Sequence, residues 1–380
     1  MITRNDLKEL VTREIKPESP VLTVYLNVDQ QKSVNLNRKF ETSLKNMLKE
    51  VEQRLDESAL RENFEEDAEP VIRYISSYSP GAKTVVLVSD ASENLFWTRE
   101  MQVGLENSVH WGYRPYIRPA LEAKDEFERF GVILTDRAHA RLFIVGQGVI
   151  QENLEALASA DVRRFDASGS DQMRSQMIFQ RKSDEHARWH LKNVAAMMER
   201  LASQQKFDRL VLAGPREAVS ELRTLLSERL KNAFVGTLSI PLDASTSDIL
   251  TETLRLHEEV ERENEKQVVS QLLTASAKNE QAVTGLQATL EAAAHGRIRM
   301  LVYANGYHAS GRECPQCQML FANSVERCPR CNQNLLWIDD LMEPVIARVF
   351  GEGGEIEQVR SEAADLLRSD GGGIGAFLRF

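Results

Sequence analysis

The sequence predicts an α/β (α+β) protein of three domains, in each of which helices flank a mixed sheet. Three observations lead to this prediction. Short runs of β-branched and aromatic residues, typical of buried strands, alternate with segments whose apolar residues recur every three or four positions. The chain has 380 residues, more than one hydrophobic core usually supports. All four cysteines lie in one stretch near the C-terminus.

The first domain is expected over residues 1–124. The run Val21–Val28 predicts a strand, and apolar residues between Phe40 and Leu55 recur at helical spacing after a polar connection. The aromatic stretch 110–116 is expected to pack at the domain edge. The other predicted elements are a helix over 71–78 and strands over 84–89 and 95–98.

The second domain is expected over residues 125–247. Phe130–Thr135 and Ala140–Val145 predict a hairpin, because the residues between them, Asp136–His139, are polar. The remaining predicted elements are a long helix after residue 171, a strand over 207–213, one helix over 217–230 and a strand over 234–240. Strands alternating with helices in this way favour a mixed sheet with flanking helices.

The third domain is expected over residues 248–380. It opens with a helical run, Asp248–Thr274, whose charged middle lacks an apolar stripe and therefore indicates a helix that crosses between two domains. The other predicted elements are a helix ending at 295–296, a strand over 298–303, a helix over 341–350 and a final strand after the glycines at 371–373.

The cysteines form two Cys-Pro-x-Cys pairs: Cys314 with Cys317, and Cys328 with Cys331. A pair at this spacing can hold a metal from a tight turn, and two such turns supply the four thiolates of a tetrahedral structural zinc site. We therefore expect Zn²⁺ in a zinc-ribbon-like insertion over residues 312–334. Four protein ligands leave no open position for catalysis, and thiol redox chemistry is the alternative.

Composition limits the other classes of function. No segment has the apolar length of a membrane span or the pattern of a signal peptide, so a cytoplasmic protein without a membrane partner is expected. The net charge of −10 and pI near 5.4 argue against a general nucleic-acid coat. Local basic excesses occur over 32–54 and 163–192, and a solvated helix face is the alternative explanation for both.

Signatures of ordinary enzymes are missing. The sequence has neither a phosphate-binding Gly-x-x-x-x-Gly-Lys loop nor a Gly-x-Ser-x-Gly nucleophile elbow. His186 and His190 are four residues apart, a spacing that can bind metal, but Ala187 stands where a metalloprotease carries glutamate. Asp136, Asp184 and Glu185 are expected to be surface acids. We predict no catalytic residue.

The stretch from Ala167 to Arg200 combines a turn-prone tip with a long helix. Small polar residues occupy 167–171, and an apolar series that includes Trp189 and Leu191 follows. Binding residues often lie on mobile segments held by a rigid domain. The alternative is an ordinary surface loop before an amphipathic helix.

Residues from about 128 to 380 resemble the class-I translation termination factors of eukaryotes and archaea and their ribosome-rescue relative Pelota. The residues that carry the resemblance are Phe179 and Arg181, Glu185, Val194-Ala195, Leu210–Gly214, Leu301–Tyr303 and Gly372–Phe380. The cysteine insertion also lies where archaeal members have one. The sequence is identified as a bacterial release-factor-like (Balon-like) member of this superfamily.

Two departures from the family change the expected function. Val34–Asn37 replaces the Asn-Ile-Lys-Ser signature of stop-codon reading, although Asn35, Asn37 and Arg38 would still lie at the decoding end. The tip Gly169–Arg174 has Ser170-Asp171 before Gln172, where termination factors carry Gly-Gly-Gln. Glycines allow backbone shapes that other residues avoid, and an aspartate repels an attacking hydroxide.

The resemblance therefore implies a monomeric, non-catalytic factor in the ribosomal A site, acting in hibernation or rescue. The expected contacts with ribosomal RNA are Gly169, Ser170, Asp171, Gln172, Arg174, Arg181, Lys182 and Arg188. A translational GTPase such as EF-Tu is a possible partner of the C-terminal domain. Two alternatives stay open: a peptidyl-tRNA hydrolase that uses Gln172, and a zinc-ribbon adaptor that never meets the ribosome.

Overall fold

The computed structural model describes residues 2–13, 20–126, 129–146, 149–152, 172–205, 207, 209–322 and 325–380. For residues 124–126, 149, 172–183 and 205 it describes only the backbone. The chain forms two compact units: residues 1–124 together with 262–380, and residues 125–261. Among the described helices, none combines the length and apolar composition that a membrane span requires. Three separate domains stay a prediction.

An antiparallel sheet with strand order β3-β2-β1-β4 forms the N-terminal part of the first unit. Its strands are β1 Val21–Asn27, β2 Thr84–Asp90, β3 Leu95–Met101 and β4 Ser108–Gly112. Its helices are α1 Arg4–Val11, α2 Lys39–Glu52, α3 Ser58–Ser77 and α4 Arg118–Glu126. Every residue of β1 is buried, since β1 pairs on both edges and α2 and α3 cover one face through Phe40, Leu44 and Val71.

A mixed sheet with strand order β10-β16-β11-β15 forms the C-terminal part of the same unit. Its strands are β10 Ala282–Thr284, β11 Ile298–Ala304, β15 Glu355–Val359 and β16 Ile374–Leu378. Helices α9 Leu286–Ala294, α10 Met342–Gly351 and α11 Ser361–Gly371 flank it. A separate three-stranded sheet, β13-β12-β14, is built from β12 Gly311–Glu313, β13 Leu320–Phe321 and β14 Leu336–Ile338.

The second unit contains a five-stranded sheet with strand order β7-β6-β5-β8-β9. Its strands are β5 Phe130–Thr135, β6 Ala140–Gly146, β7 Val149–Glu152, β8 Arg209–Ala213 and β9 Phe234–Leu238. The predicted hairpin is confirmed, and β5, β8 and β9 run parallel. The helices are α5 Gln172–Gln205, α6 Arg216–Leu225 and α7 Glu228–Ala233; α8 Thr246–Ala277 contributes residues to both units. The predicted α/β (α+β) class, with helices flanking the sheets, is confirmed, but the N-terminal sheet is antiparallel rather than mixed, because β1 pairs antiparallel with β2 and β4, and β2 with β3.

The prediction of one helix over residues 217–230 is wrong, because the structure has two helices there, α6 and α7. The chain leaves helical geometry at Leu226, and the Ser227 side chain accepts a hydrogen bond from the backbone N–H of Leu230 to begin α7. Serine is among the preferred residues at this position, because its oxygen satisfies an N–H that lacks a partner in the first turn. A local capping signal therefore overrides a continuous apolar period.

Polar side chains join the two parts of the first unit. Arg118 donates from Nε to Glu122 Oε1 at 2.7 Å and pairs through Nη1 with Asp340 at 3.1 Å. The hydroxyl of Tyr303, on β11, donates to the same Glu122 oxygen at 2.9 Å. Arg4 donates to the carbonyl of Gly354 at 3.1 Å. Residues far apart in sequence thus form one compact unit.

Candidate functional site

The four cysteines lie in two turns with the same hydrogen bonds. The N–H of Cys314 donates to the Met319 carbonyl at 2.9 Å, and the N–H of Cys328 donates to the Gln333 carbonyl at 2.8 Å. Each turn also contains a residue in the left-handed region immediately after its second cysteine: Gln318 at φ 57° and Asn332 at φ 62°. The repeated Cys-Pro-x-Cys sequence therefore builds two equivalent turns, one after β12 and one before β14.

The four sulfur atoms lie within 4.8 Å of one another. The distance between Sγ atoms is 3.3 Å for Cys314 and Cys331, 3.4 Å for Cys317 and Cys328, and 3.8 Å for Cys331 and Cys317. Thiolates around a tetrahedral ion with metal–sulfur bonds of about 2.3 Å are about 3.8 Å apart. The cluster fits a metal ion of that size, and all four cysteines are free of disulfides.

The thiols cannot all ionise without a cation beside them. Burial, together with hydrogen bonds to the thiols of Cys314, Cys328 and Cys331, raises the pKa of Cys317 to about 12. Burial opposes ionisation at Cys328 as well, but hydrogen bonds from the N–H groups of Cys331 and Arg330 bring its pKa to about 7. A divalent metal would supply the missing positive charge for the full set.

Two largely buried arginines hold the cysteine cluster to the rest of the first unit. Glu313, immediately before Cys314, receives both terminal nitrogens of Arg114, with Nη1 to Oε2 at 2.8 Å. Their side chains are 7% and 11% exposed. Arg348, on α10, donates to the carbonyl of Gln318 inside the first cysteine turn. Burial lowers the pKa of Arg348, and Glu313 opposes this effect.

Most of the predicted RNA-contacting residues have no described side chain. Gly169, Ser170 and Asp171 lie outside it, so a projecting tip stays a prediction. Gln172, Arg174, Arg181 and Lys182 lie on α5, of which only the backbone is described there. Arg188 is the member of the set whose side chain is described, and it is exposed.

From Ala187 onward α5 packs on the sheet of the second unit. Its buried face is formed by Ala187, Leu191, Val194, Ala195, Met198, Leu201 and Ala202. Trp189, assigned to this apolar series from the sequence, is instead 56% exposed. At about 100° per residue, Trp189 lies roughly 160° around the helix from Leu191, so the two cannot share a face.

The two histidines on α5 do not share a surface. His190 is 1% exposed and neither ring nitrogen has a hydrogen-bond partner among the described residues, whereas His186 is exposed. Burial lowers the pKa of His190, while the backbone of His139 and the carboxylate of Asp136 oppose this shift. Asp136 accepts the N–H groups of Ala138 at 2.7 Å and His139 at 2.6 Å, which makes it part of the hairpin turn.

The predicted decoding-end residues have structural contacts. Asn35 is buried and donates to Asn27 Oδ1 at 2.8 Å. Asn37 and Arg38 both have left-handed backbone, with φ of 55° and 60°, at the end of the 3₁₀ helix Ser33–Arg38 and immediately before α2. Arg38 donates to three carbonyls at the end of α3, those of Ile75, Ser76 and Tyr78, each at 2.9 Å.

The same segment exposes two apolar residues that sequence reasoning missed. Val34 is 65% exposed and Leu36 is 44% exposed, on either side of the buried Asn35. The alternation of apolar residues with asparagine over 34–37 could have predicted this exposure, because neighbouring side chains in a tight turn point in different directions. A contact made by this segment would therefore use Val34, Leu36 and Asn37 rather than Asn35.

The comparison with known families gives an identification for the middle of the chain. Residues 115–258 match the family model described as bacterial archaeo-eukaryotic release factor family 10. The matched segment includes the whole second unit up to residue 258 and the α5 helix. The predicted resemblance to the release factor and Pelota superfamily is confirmed for this part of the chain.

Several solved structures are similar at low identity. Pelota from Archaeoglobus fulgidus is 17% identical, with 100% of this chain and 92% of that chain covered and a TM-score of 0.35. Dom34 from S. cerevisiae, described as interacting with Hbs1, is 11% identical over 78% and 79% of the two chains, with a TM-score of 0.38. A model of ribosome-bound archaeal Pelota and ABCE1 is 15% identical over 100% and 94%, with a TM-score of 0.39. No curated protein sequence matches.

Proposed function

We propose that this release-factor-like protein is a cytoplasmic, monomeric translation factor that binds the ribosomal A site and acts in hibernation or rescue without hydrolysing peptidyl-tRNA. The observation that carries the proposal is the family match over residues 115–258 combined with the tip Gly169-Ser170-Asp171-Gln172. The match supports a role in translation. The tip lacks the paired glycines whose backbone freedom the hydrolytic loop requires.

In this proposal three domains have separate roles. Residues 1–124 face the decoding centre, and residues 125–247 present the tip and α5 to ribosomal RNA through the residues from Gly169 to Arg188 predicted above. Residues 248–380 contact the stalk side of the ribosome or a translational GTPase such as EF-Tu. The exposure of Arg188 is consistent with the second role, since a phosphate contact requires a solvent-accessible cation.

The metal in this proposal is zinc, held by Cys314, Cys317, Cys328 and Cys331. The thiolate set, the two equivalent turns and the sulfur distances suit Zn²⁺ better than an oxygen-preferring ion. The ion would be structural, because four protein ligands leave no position for substrate. By holding the two turns, the ion would position the carbonyl of Gln318 to accept a hydrogen bond from Arg348. It would likewise position the carboxylate of Glu313 to pair with Arg114.

The test is co-sedimentation of the purified full chain with ribosomes, followed by a release assay on ribosomes loaded with peptidyl-tRNA. The proposal predicts that the protein pellets with ribosomes and releases no peptide. Release that disappears in Gln172→Ala would replace it with the hydrolase alternative. Failure to pellet with idle or stalled ribosomes would leave the zinc-ribbon adaptor as the better explanation.

A further inference from the structure

Four residues form an exposed stripe along α5: Arg188, Trp189, Lys192 and Arg200, called here the α5 stripe. At about 100° per residue they fall within roughly 120° of the helix circumference. The opposite side of the helix packs on the sheet through Leu191, Val194 and Met198. The stripe is therefore the outward surface of a helix that is already anchored.

Trp189 is not needed for that packing. It is 56% exposed, although a tryptophan has one of the largest apolar surfaces of any side chain and would be stabilised by burial. A core role is excluded by this exposure. Large exposed aromatic residues are typical of surfaces that contact a partner.

The charge of the stripe indicates an anionic partner. Among the described residues, Arg188, Lys192 and Arg200 form no ion pair. Three acids lie nearby on the helix. Asp184 pairs with Arg137, and Glu199 accepts a hydrogen bond from Ser227 and pairs with Arg229 at 3.6 Å, so both charges are already compensated. Among the described side chains of the helix, Glu185 is the acid left beside the stripe.

Trp337 gives a useful contrast within the same chain. It is similarly exposed, at 61%, but its indole N–H donates to the Asp339 carboxylate at 2.9 Å. Trp189 instead follows Arg188 directly and lies one helical turn before Lys192. An indole face flanked by cations suits a nucleic-acid base whose phosphates lie beside it, since stacking and phosphate contacts are then both available.

We infer that the α5 stripe binds single-stranded RNA, with Trp189 stacking on an unpaired base and Arg188, Lys192 and Arg200 contacting the flanking phosphates. This deepens the proposed function, on which it rests for the choice of RNA rather than DNA. Stacking requires a splayed base, so loops and bulges fit and continuous duplex does not.

The first experiment follows tryptophan fluorescence while the full chain is titrated with a single-stranded RNA of about ten nucleotides. The expected result is quenching that is lost in Trp189→Phe and retained in Trp337→Phe. The same oligonucleotide with abasic sites keeps its phosphates but has no bases, so it should bind more weakly and quench little. Quenching that survives Trp189→Phe would overturn the inference.

Affinity separates stacking from charge. Trp189→Ala is expected to weaken RNA binding about tenfold, with Trp189→Phe recovering most of the loss. Arg188→Ala and Lys192→Ala should each reduce the salt dependence of binding by about one ion. A Trp189→Ala affinity equal to wild type would overturn the stacking role.

Ribosome binding tests the inference separately from the proposed function. If wild type pellets with ribosomes and Trp189→Ala pellets less, both stand. If wild type does not pellet with ribosomes but binds the RNA oligonucleotide through Trp189, the proposed function is wrong and the inference about the α5 stripe still stands. A third outcome has three parts: Trp189→Ala loses ribosome binding, wild type does not bind the RNA oligonucleotide, and α5 cross-links to a ribosomal protein. In that case the α5 stripe contacts protein, and the inference is overturned.

Discussion

Replacing Glu313 by alanine should destabilise the first unit strongly. The carboxylate is 7% exposed and holds the guanidinium of Arg114, itself 11% exposed, through two hydrogen bonds. Its removal leaves the buried charge of Arg114 uncompensated and withdraws the favourable field at Arg348. Loss of one member of such a buried pair costs about 3–5 kcal/mol.

A double-mutant cycle measures this pair. Urea unfolding is compared for wild type, Glu313→Leu, Arg114→Met and the combined Arg114→Met/Glu313→Leu chain, with Glu313→Ala measured beside them and metal content determined for each variant. We expect the combined chain to lie within about 1 kcal/mol of wild type, because an apolar pair avoids the desolvation of two charges. If Glu313→Ala cost less than about 1 kcal/mol with its metal retained, the buried pair would not hold the two parts together.

Three further changes test other contacts. Arg38→Ala should lower the free energy of unfolding by about 1–2 kcal/mol in a urea titration, because it removes charged donors to three carbonyls. Its control is Arg73→Ala, on the exposed surface of α3, which should change the free energy of unfolding little. Because the pKa of His190 is lower in the folded than in the unfolded chain, the unfolded chain takes up a proton at higher pH, and stability is lost as pH falls below about 6.5. His190→Leu should therefore reduce the fall in melting temperature over that pH range. Cys317→Ser should reduce bound zinc from about one per chain and lower the melting temperature, as should a chelator on wild type; unchanged melting in both would rule out a structural metal.

Local patterns predicted the parts of the fold that depend on local forces. The strands β1 and β2 are rich in β-branched and apolar residues, and both are buried along their whole length. The cysteine cluster was predictable because its two turns need only residues close in sequence. Strands β10 and β15 are short, and each is defined by pairing with a distant strand, so they were not predicted.

The site was less predictable than the fold. The sequence could place Trp189 on α5, but not say which side of the helix meets the sheet, and apolar character alone assigned it to the core. Asn35 and Arg38 look like surface polar residues, yet one is buried against Asn27 and the other binds the end of α3. The Arg114–Glu313 pair spans almost 200 positions, a separation that no periodicity reveals.

The most direct measurement of the proposed function is a cryo-EM reconstruction of ribosomes from stationary-phase cells that express the protein. We predict density for the chain in the A site, with residues 125–247 on the side of the peptidyl-transferase centre, residues 1–124 on the side of the decoding centre, and any P-site peptidyl-tRNA uncleaved. Density elsewhere on the ribosome, or ribosomes that carry no trace of the chain, would contradict it.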